Sequence, residues 1–391
     1  MRRVGVEERR ARLGLRHHLT PAARAGSAAQ VAADLLGLHG TDPASVFLAA
    51  AARMRAGDVA AIERELYEQR ALVRLLGMRR TMFVVPVGLA PVVQAACTRA
   101  IAVRQRRTLL QLLERAGVAD DPVSWLKEVE ESTMAALAAR GGAFAGELSR
   151  DEPRLGVQLL LAEGKPYEAR QRIATRVLFQ LAADGRVVRG RPRGSWTSSQ
   201  FRWYPTEAWL PGGIPELPVE AARAELVRRW LAAFGPGTAA DLRWWTGWTA
   251  GEVRRALAAV GPVEVDLDGA AGLVLPGDLE PVAAAEPWVA LLPALDPTVM
   301  GWSGRGWFLG EHARALFDRT GNAGPTVWWG GRVVGGWAQR RDGEVAVRLL
   351  EDVGADGAAA VQAAAERLRA WLGDVRVTPR FRTPLERELV A

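Results

Sequence analysis

Three polar side chains stand together near residue 40, in the segment GLHGTDPASVFLAAAARM (37–54). His39 is one of four histidines in the chain, and Thr41 and Asp42 follow it after a single glycine. An imidazole can orient a water molecule, and a carboxylate can stabilise a developing positive charge or help to take a proton, so His39, Thr41 and Asp42 form a candidate catalytic set. The alternative for Asp42 is structural, because an aspartate before a proline caps the start of a helix.

Metal, disulfide and cofactor chemistry are not expected from the remaining residues. Cys97 is the only cysteine, and the other histidines, His17, His18 and His312, are scattered along the chain. This pattern lacks the ligand spacing of a zinc site. His17 and His18 lie in an arginine-rich segment and are expected to be solvated.

The charge of the chain is unusual in both sign and residue type. The 391 residues carry 51 Lys and Arg against 44 Asp and Glu, a net charge of +7, and the only lysines are Lys127 and Lys165. A guanidinium binds phosphate oxygens with two parallel hydrogen bonds, so an arginine surface suits a nucleic acid. A high-GC genome also raises arginine use, so the distribution of the charge is more informative than its total.

Two long stretches contain arginines and no acidic residue. They are 71–113 and GRVVRGRPRGSWTSSQFRWYP (185–205). Solvated faces usually mix both signs, so one-signed stretches favour a polyanion partner over plain surface charge. DNA is the expected partner, RNA or another acidic molecule the weaker alternative, and Trp196 in the second stretch is a candidate for stacking on a nucleotide. The predicted DNA-binding residues are Arg79, Arg80, Arg104, Arg106, Arg107, Arg191, Arg193, Arg202 and Trp196.

A repeated segment predicts the elements that must position these residues. LAARGGAFAGEL (137–148) aligns with LAAFGPGTAADL (231–242), and in each case an amphipathic helix precedes the segment. A further helix and two β-like runs follow each copy, which is the winged helix-turn-helix pattern. Residues 27–86 fit the same template less closely.

These patterns predict an α+β fold of three tandem winged helices around a basic channel, with a small C-terminal α+β domain. The predicted boundaries are 1–118 for the first winged helix and a basic helical connector, 119–210 and 211–286 for the second and third, and 287–391 for a domain with two or three strands. No run of about 18 apolar residues predicts a membrane span, and the charged N-terminus is unlike a secretory signal. The expected location is therefore cytoplasmic, at the nucleoid.

Two segments resemble a known bacterial family. ELYEQRALVRLLGMRRTMFVVP (65–86) is similar to the first wing, and FDRTGNAGPTVWWGGRVVGGWAQRRDGEV (317–345) to the C-terminal segment, of winged-helix proteins that include the AlkZ-type and YcaQ-type DNA glycosylases. The resemblance implies excision of bulky alkylated bases or unhooking of crosslinks. The family's Gln-x-Gln or Gln-x-Asp motif matches His39 and Thr41 around Gly40. Neither glutamine is present, and Asp42 lies one position after the site of the family's carboxylate.

The chemistry implied by this resemblance is hydrolysis of an N-glycosidic bond. An N7-alkylated purine already carries positive charge, so its departure needs little acid, and His39 could orient the water while Asp42 stabilises the sugar cation. A Schiff-base mechanism needs a desolvated amine, and neither lysine lies in such a setting, so a monofunctional glycosylase is expected. The alternative is DNA binding without catalysis, by a regulator or a damage-recognition module. Three different winged helices in one chain can surround DNA as a monomer, whereas a regulator usually dimerises.

Overall fold

Helices and four small sheets alternate along the chain, and the architecture is the expected mixed α+β fold. The computed structural model describes residues 1–161, 164, 168–284 and 286–391. Within these ranges, no helix combines the length and the apolar character needed to cross a membrane.

Seventeen α-helices lie in the described residues. They are α1 (Val6–Arg16), α2 (Ala28–Asp34), α3 (Pro43–Ala51), α4 (Val59–Glu63), α5 (Ala90–Val93), α6 (Arg99–Arg115), α7 (Pro122–Arg140), α8 (Ala145–Asp151), α9 (Ala174–Ala183), α10 (Thr206–Trp209), α11 (Val219–Phe234), α12 (Ala239–Thr246), α13 (Ala250–Val260), α14 (Gly306–Leu309), α15 (Ala313–Leu316), α16 (Gly354–Leu372) and α17 (Pro384–Val390).

Fourteen strands accompany them in the same part of the chain. They are β1 (Arg2–Arg3), β2 (Leu38–His39), β3 (Leu72–Leu76), β4 (Met82–Pro86), β5 (Gln158–Leu161), β6 (Ala169–Arg172), β7 (Val187–Pro192), β8 (Phe201–Pro205), β9 (Val263–Leu267), β10 (Ala270–Val274), β11 (Val289–Leu292), β12 (Thr326–Trp329), β13 (Arg332–Gln339) and β14 (Val345–Leu349).

The repeated segment is a helix-start signal in both copies. The acid of each acid–Leu pair accepts a hydrogen bond from a backbone N–H three residues earlier: Glu147 from Phe144 at 2.7 Å, and Asp241 from Thr238 at 3.0 Å. Such bonds satisfy one of the N–H groups left free at the first turn of a helix. A third helix and a hairpin follow each copy, so the predicted order of helices and wing is found in both.

The hairpins of the first two units join into one sheet. Its strand order is β2-β4-β3-β7-β8, and Arg74 of β3 lies opposite Arg189 of β7. Between Ser27 and β3 lie the helices α2, α3 and α4, as predicted, and a helical run from Ala90 to Arg115 occupies the predicted basic connector. The segment around residue 40 and the wing of the second unit therefore belong to one sheet, with β4 and β3 between them.

Three features differ from the sequence-based expectation. The helix expected over 167–185 begins only at Ala174, because 169–172 pair with 158–161 in a hairpin; Tyr167 lies outside the described residues. The C-terminal sheet has four strands instead of two or three, since β11 pairs with β12. The N-terminal β1 pairs in parallel with β9 of the third unit. The strand partners of β1 and β11 are distant in sequence, so local patterns do not reveal them.

Buried polar contacts connect the N-terminal helices to the C-terminal domain. Arg53 and Asp296 are fully buried and form two hydrogen bonds of 2.7 and 2.8 Å. His17 is 0 % exposed and bonds to Thr298 Oγ1 at 2.8 Å, and His18 is also buried, so the expectation that both are solvated is wrong. One hydrophobic core includes residues of the first and third units, of the C-terminal domain and, from the second unit, Val188, Trp196, Trp209 and Leu210. Most other buried apolar residues of the second unit form a separate core with Leu109 and Leu113 of α6. The four domain boundaries remain predictions.

Candidate active site and nucleic-acid interface

The segment around residue 40 is fixed by β4 and by α3. Leu38 pairs with Val84 and His39 with Phe83, and the N–H of Gly40 then donates to the carbonyl of Met82 at 2.7 Å. The helix α3 begins immediately afterwards, at Pro43. The three candidate catalytic residues therefore lie at a strand-to-helix junction, where the direction of each side chain is set by the backbone.

The side chain of His39 packs into the interior. It is 5 % exposed, its ring lies 5.1 Å from the ring of Phe83, and its Nδ1 is buried with no hydrogen-bond partner among the described residues. Burial, and then the charge of Arg79, lower the pKa of His39 to about 3. The imidazole therefore stays neutral across the physiological range.

The side chain of Asp42 acts as a helix cap. It is 6 % exposed; Oδ1 accepts from the N–H of Ala44 at 3.1 Å and Oδ2 from the N–H of Arg380 at 3.1 Å. Burial raises the pKa of Asp42, and the two backbone bonds oppose that rise. The expected roles of His39 in orienting a water and of Asp42 in stabilising the sugar cation are thus not supported, because the imidazole is in the interior and both carboxylate oxygens accept from backbone N–H groups.

Thr41, unlike His39 and Asp42, lines a large cleft. It is half-buried and lies in the wall of a cleft of about 550 Å³, which we name the Thr41 cleft. The lining residues are Thr41, Pro43, Phe144, Ala145, Gly146, Glu147, Arg150, Thr175, Leu178, Arg189, Arg193, Ser199, Gln200, Phe201, Trp203 and Arg380. Four arginines and three aromatic rings therefore line the same cleft as Thr41, the residue at the second glutamine position of the motif.

Three further depressions connect to the Thr41 cleft through shared lining residues, two of them directly and the third through its neighbour. One of about 240 Å³ shares Thr175, and it shares Arg80 and Gln105 with another of about 120 Å³. A depression of about 810 Å³ on the C-terminal domain shares Arg380. We name these four depressions together the basic surface.

The basic surface carries far more cations than acids. Its arginines are Arg79, Arg80, Arg104, Arg150, Arg176, Arg189, Arg193, Arg223, Arg314, Arg319, Arg380, Arg382 and Arg387. Of these, Arg223 and Arg382 are paired with carboxylates. Its acids are Glu147, Glu252 and Asp318, and each of them accepts a hydrogen bond from a nearby backbone N–H. A continuous surface of this composition fits the phosphates of a nucleic acid.

Four of the predicted DNA-binding arginines, Arg79, Arg80, Arg104 and Arg193, line this surface. Two of them, Arg79 and Arg80, form the tip of the β3–β4 hairpin with φ values of 50° and 62°. The guanidinium of Arg79 lies 3.9 Å from the ring of Trp244 in the third unit. The strained tip is therefore fixed against a neighbouring unit.

The other predicted residues are placed differently. Arg106 is paired with Glu130 and Asp184 at 3.0 and 2.7 Å, and Arg191 with Glu63 and Glu68 at 2.5 and 3.4 Å. The structure therefore does not leave Arg106 and Arg191 free to bind phosphate, because carboxylates distant in sequence already neutralise them.

The remaining predicted DNA-binding residues are Trp196, Arg202 and Arg107. Trp196 is 6 % exposed and packs against Phe47 and Trp371, at 5.1 and 5.7 Å between ring centroids, so it does not offer a stacking face. Arg202 donates to the carbonyl of Gly142 at 2.7 Å, beside the Thr41 cleft. Arg107 is exposed on α6, outside the residues that line the basic surface in the described ranges.

Some arginines of the basic surface that were not predicted lie in acid-free stretches of the sequence. Arg189 lies in the second acid-free stretch, and VRVTPRFRTP (375–384), which holds Arg380 and Arg382, is acid-free as well. The same criterion applied to shorter stretches finds these three residues. The contributions of Arg150 and Arg314 have no comparable local signal.

Comparisons with known proteins identify the family and the fold of the chain. A family model described as "DNA glycosylase AlkZ-like" matches residues 32–371. A search of curated proteins finds no match. Among solved structures, the DNA glycosylase AlkZ of Streptomyces sahachiroi superposes with a TM-score of 0.73 at 22% sequence identity, covering 97% of this chain and 99% of that chain. That likeness confirms the fold, and the family match spans most of the sequence. The chain belongs to the AlkZ-like family of DNA glycosylases.

Proposed function

We propose that the protein is a monofunctional glycosylase that hydrolyses the N-glycosidic bond of bulky N-alkylated bases in duplex DNA, with the damaged nucleotide in the Thr41 cleft. The observation that carries this proposal is the position of Thr41, the second residue of the motif, in the wall of an arginine-lined cleft. Arginines along the basic surface would bind the phosphates on both sides of the lesion.

The reaction needs little from the protein beyond position and polarity. A cationic alkylated purine leaves as a neutral base, so the main requirement is a water placed for attack on the sugar. The hydroxyl of Thr41 accepts a long hydrogen bond from the N–H of Met82 at 3.4 Å, and its own O–H donor and second lone pair can hold this water. His39 and Asp42 support it indirectly, by packing against β4 and by capping α3.

The size and lining of the cleft support a bulky substrate. A volume of about 550 Å³ lies in the range of ligand sites, and Phe144, Phe201 and Trp203 offer apolar surface to a large base. Interstrand crosslinks are a second substrate of the same chemical class.

A lyase mechanism through a Schiff base has little support. Lys127 is exposed on α7, away from the lining of the basic surface in the described ranges, and Lys165 lies outside the described residues. Water is therefore the proposed nucleophile. Action as a monomer at the nucleoid follows from the same proposal, since one chain carries all the units that would surround the DNA.

The competing function is DNA binding without hydrolysis. It is favoured by the burial of His39 and by the use of both Asp42 oxygens in backbone hydrogen bonds. A wild-type protein that binds alkylated duplex tightly and releases no base would establish this alternative. Stronger binding to duplex RNA than to duplex DNA would contradict both functions.

Single-turnover excision from duplex DNA with an N7-alkylguanine tests the proposal. We expect Thr41→Ala to slow base release by roughly 10²-fold or more, the usual contribution of a group that positions the reacting water, while leaving affinity for the duplex almost unchanged. Thr41→Ser keeps the hydroxyl and should keep most of the rate. Thr108→Ala is the matched control, because Thr108 is exposed on α6 and lies outside the lining of the basic surface. Equal rates for Thr41→Ala and the control would contradict the assignment.

A further inference from the structure

One arginine beside the motif is buried without a partner. Arg74 in β3 is 3 % exposed, and its Nε, Nη1 and Nη2 are all buried with no hydrogen-bond partner among the described residues. The other deeply buried arginines of the first unit differ, since Arg53 bonds to both oxygens of Asp296 and Arg12 bonds to Glu8 and Asp278. A buried charge without a counter-ion is strongly unfavourable, so Arg74 needs a compensating anion that the free protein does not supply.

Two more arginines lie close to Arg74. Arg189 is directly opposite on β7, and both guanidinium groups lie over the ring of Phe201, at 4.8 and 5.7 Å. Burial, and then the charges of Arg74 and Arg380, lower the pKa of Arg189 to about 10. Three cations are thus near enough to repel one another.

This cluster adjoins the reaction site. A Cβ atom placed on Gly40 would lie 3.4 Å from Nη1 of Arg74, and Nη1 of Arg380 donates to the carbonyl of Thr41 at 3.4 Å. Arg189 and Arg380 line the Thr41 cleft, whereas Arg74 lies behind its wall. The positive charges of Arg74 and Arg380 therefore lie beside Gly40 and Thr41, the two residues that follow His39, and Arg189 lies in the wall of the same cleft.

Uncompensated cations at this place would oppose the proposed reaction. The sugar becomes positive as the base leaves, and nearby guanidinium groups would raise the energy of that transition state. A phosphodiester bound between them would offset one of the three positive charges and place its anionic oxygens near the sugar. The nucleotide itself carries such phosphates on either side of the sugar.

We propose that Arg189 and Arg380 bind the phosphodiester next to the damaged nucleotide, and that the buried Arg74 behind them is a positioning residue that holds this phosphate. The proposal rests on the function proposed above and assigns a substrate contact within the same cleft. The ligand class is a single phosphodiester at a fixed place relative to the lesion, distinct from the many phosphates along the rest of the basic surface.

Neutral linkages in the DNA test this assignment by equilibrium binding. A set of duplexes carries one methylphosphonate each, at successive positions around the alkylated nucleotide. For the wild type, we expect one linkage adjacent to the lesion to weaken binding by about tenfold or more when it is neutral. In Arg74→Met the effect of that linkage should shrink to below about twofold, and Arg74→Lys, which keeps the charge, should restore most of it. An unchanged linkage effect in Arg74→Met would overturn the proposal.

Thermal unfolding of the free protein gives an independent readout. Arg74→Met removes an uncompensated buried charge and keeps the length of the side chain, so its Tm should exceed that of the wild type. Arg53→Met removes a paired charge and should lower Tm. A Tm for Arg74→Met below that of the wild type, or failure of this variant to fold, would show that the arginine has a structural role and would overturn the proposal. Both readouts are independent of base release, so a wild type that shows the linkage effect without excising bases would contradict the proposed function alone.

Discussion

The direction of each side chain at the β2–α3 junction decides what it can do. His39 pairs with Phe83 and packs into the interior, while Asp42 uses both oxygens to cap α3 and to hold the backbone of Arg380. Only Thr41 lies in the cleft wall. The sequence predicted both a cap and a catalytic carboxylate for Asp42, and local patterns could not choose between them, because the donor from Arg380 lies more than 300 residues away.

We predict different effects on DNA binding for two neighbouring arginines of the second wing. Arg193 lies over the ring of Phe144 at 4.3 Å in the Thr41 cleft, whereas Arg191 is paired with Glu63 and Glu68. We expect Arg193→Ala to weaken duplex binding about tenfold, because a charge-assisted contact with a phosphate is lost. Arg191→Ala should change affinity by less than about threefold, the range of a surface ion pair.

Fluorescence anisotropy with an undamaged duplex at one fixed salt concentration compares the two variants. They remove the same charge from the same hairpin, so Arg191→Ala controls for the loss of net charge. A larger loss of affinity for Arg191→Ala than for Arg193→Ala would contradict the placement of these residues.

Among the helices and strands, the two copies of the repeated segment share their local contacts and differ in their distant ones. Glu147 and Asp241 start equivalent helices, but Asp241 also accepts hydrogen bonds from Ser303 N at 2.9 Å and Gly304 N at 2.8 Å. Burial opposes ionisation of Asp241, yet the hydrogen bonds from Gly304, Thr238 and Ser303 outweigh it and hold its pKa below the ordinary value. Asp241 thus starts a helix, as Glu147 does, and also connects the third unit to the C-terminal domain.

We predict different losses of stability for the two positions. Glu147→Ala should lower the free energy of unfolding only slightly, because a single cap hydrogen bond at the surface is lost. Asp241→Ala should lower it by about 3 kcal/mol or more, because several buried donors lose their acceptor. Denaturant unfolding at pH 7 measures both.

The pH dependence of Asp241→Ala follows from the sign of the pKa shift. A carboxylate whose folded pKa is depressed stabilises the protein above its ordinary pKa of about 3.9 and loses that contribution as the pH falls. The difference between wild type and Asp241→Ala should therefore narrow below about pH 4. A difference that stays constant to lower pH would show that ionisation of Asp241 does not contribute.

Helix starts and wings could be predicted from the sequence because their signals are local. The capping residues and the left-handed glycines Gly141 and Gly247 that end α7 and α12 lie within a few residues of the helices that they bound. The β5–β6 hairpin and the pairing of β1 with β9 could not be predicted in this way. For β1, the partner is more than 250 residues distant, and two residues carry no periodicity of their own.

Across the protein as a whole, the basic surface is assembled from all four predicted units. Its C-terminal depression contains Arg319 and Arg387, which are exposed and form no ion pair within the described ranges. This depression meets the Thr41 cleft at Arg380. The DNA should therefore extend from the reaction site onto the C-terminal domain.

The salt dependence of binding tests this extension. Each phosphate contact contributes roughly 0.9 to the slope of log affinity against log salt, so Arg319→Ala/Arg387→Ala should reduce the slope by about 1–2. Arg367→Ala/Arg369→Ala removes the same charge from the exposed side of α16 and should leave the slope within about 0.5 of the wild type. Equal slopes for the two double variants would place the C-terminal depression outside the DNA path.

The central claim is that the damaged nucleotide enters the Thr41 cleft. The most direct measurement is a crystal structure of the protein with duplex DNA that carries an alkylated 2′-fluoro nucleotide, whose glycosidic bond resists hydrolysis. We expect the sugar within hydrogen-bond reach of a water held by the hydroxyl of Thr41, the adjacent phosphodiester on Arg189 and Arg380, and the flanking duplex along the basic surface. A damaged nucleotide bound elsewhere, or Thr41 separated from the sugar by a closed wall, would contradict the account.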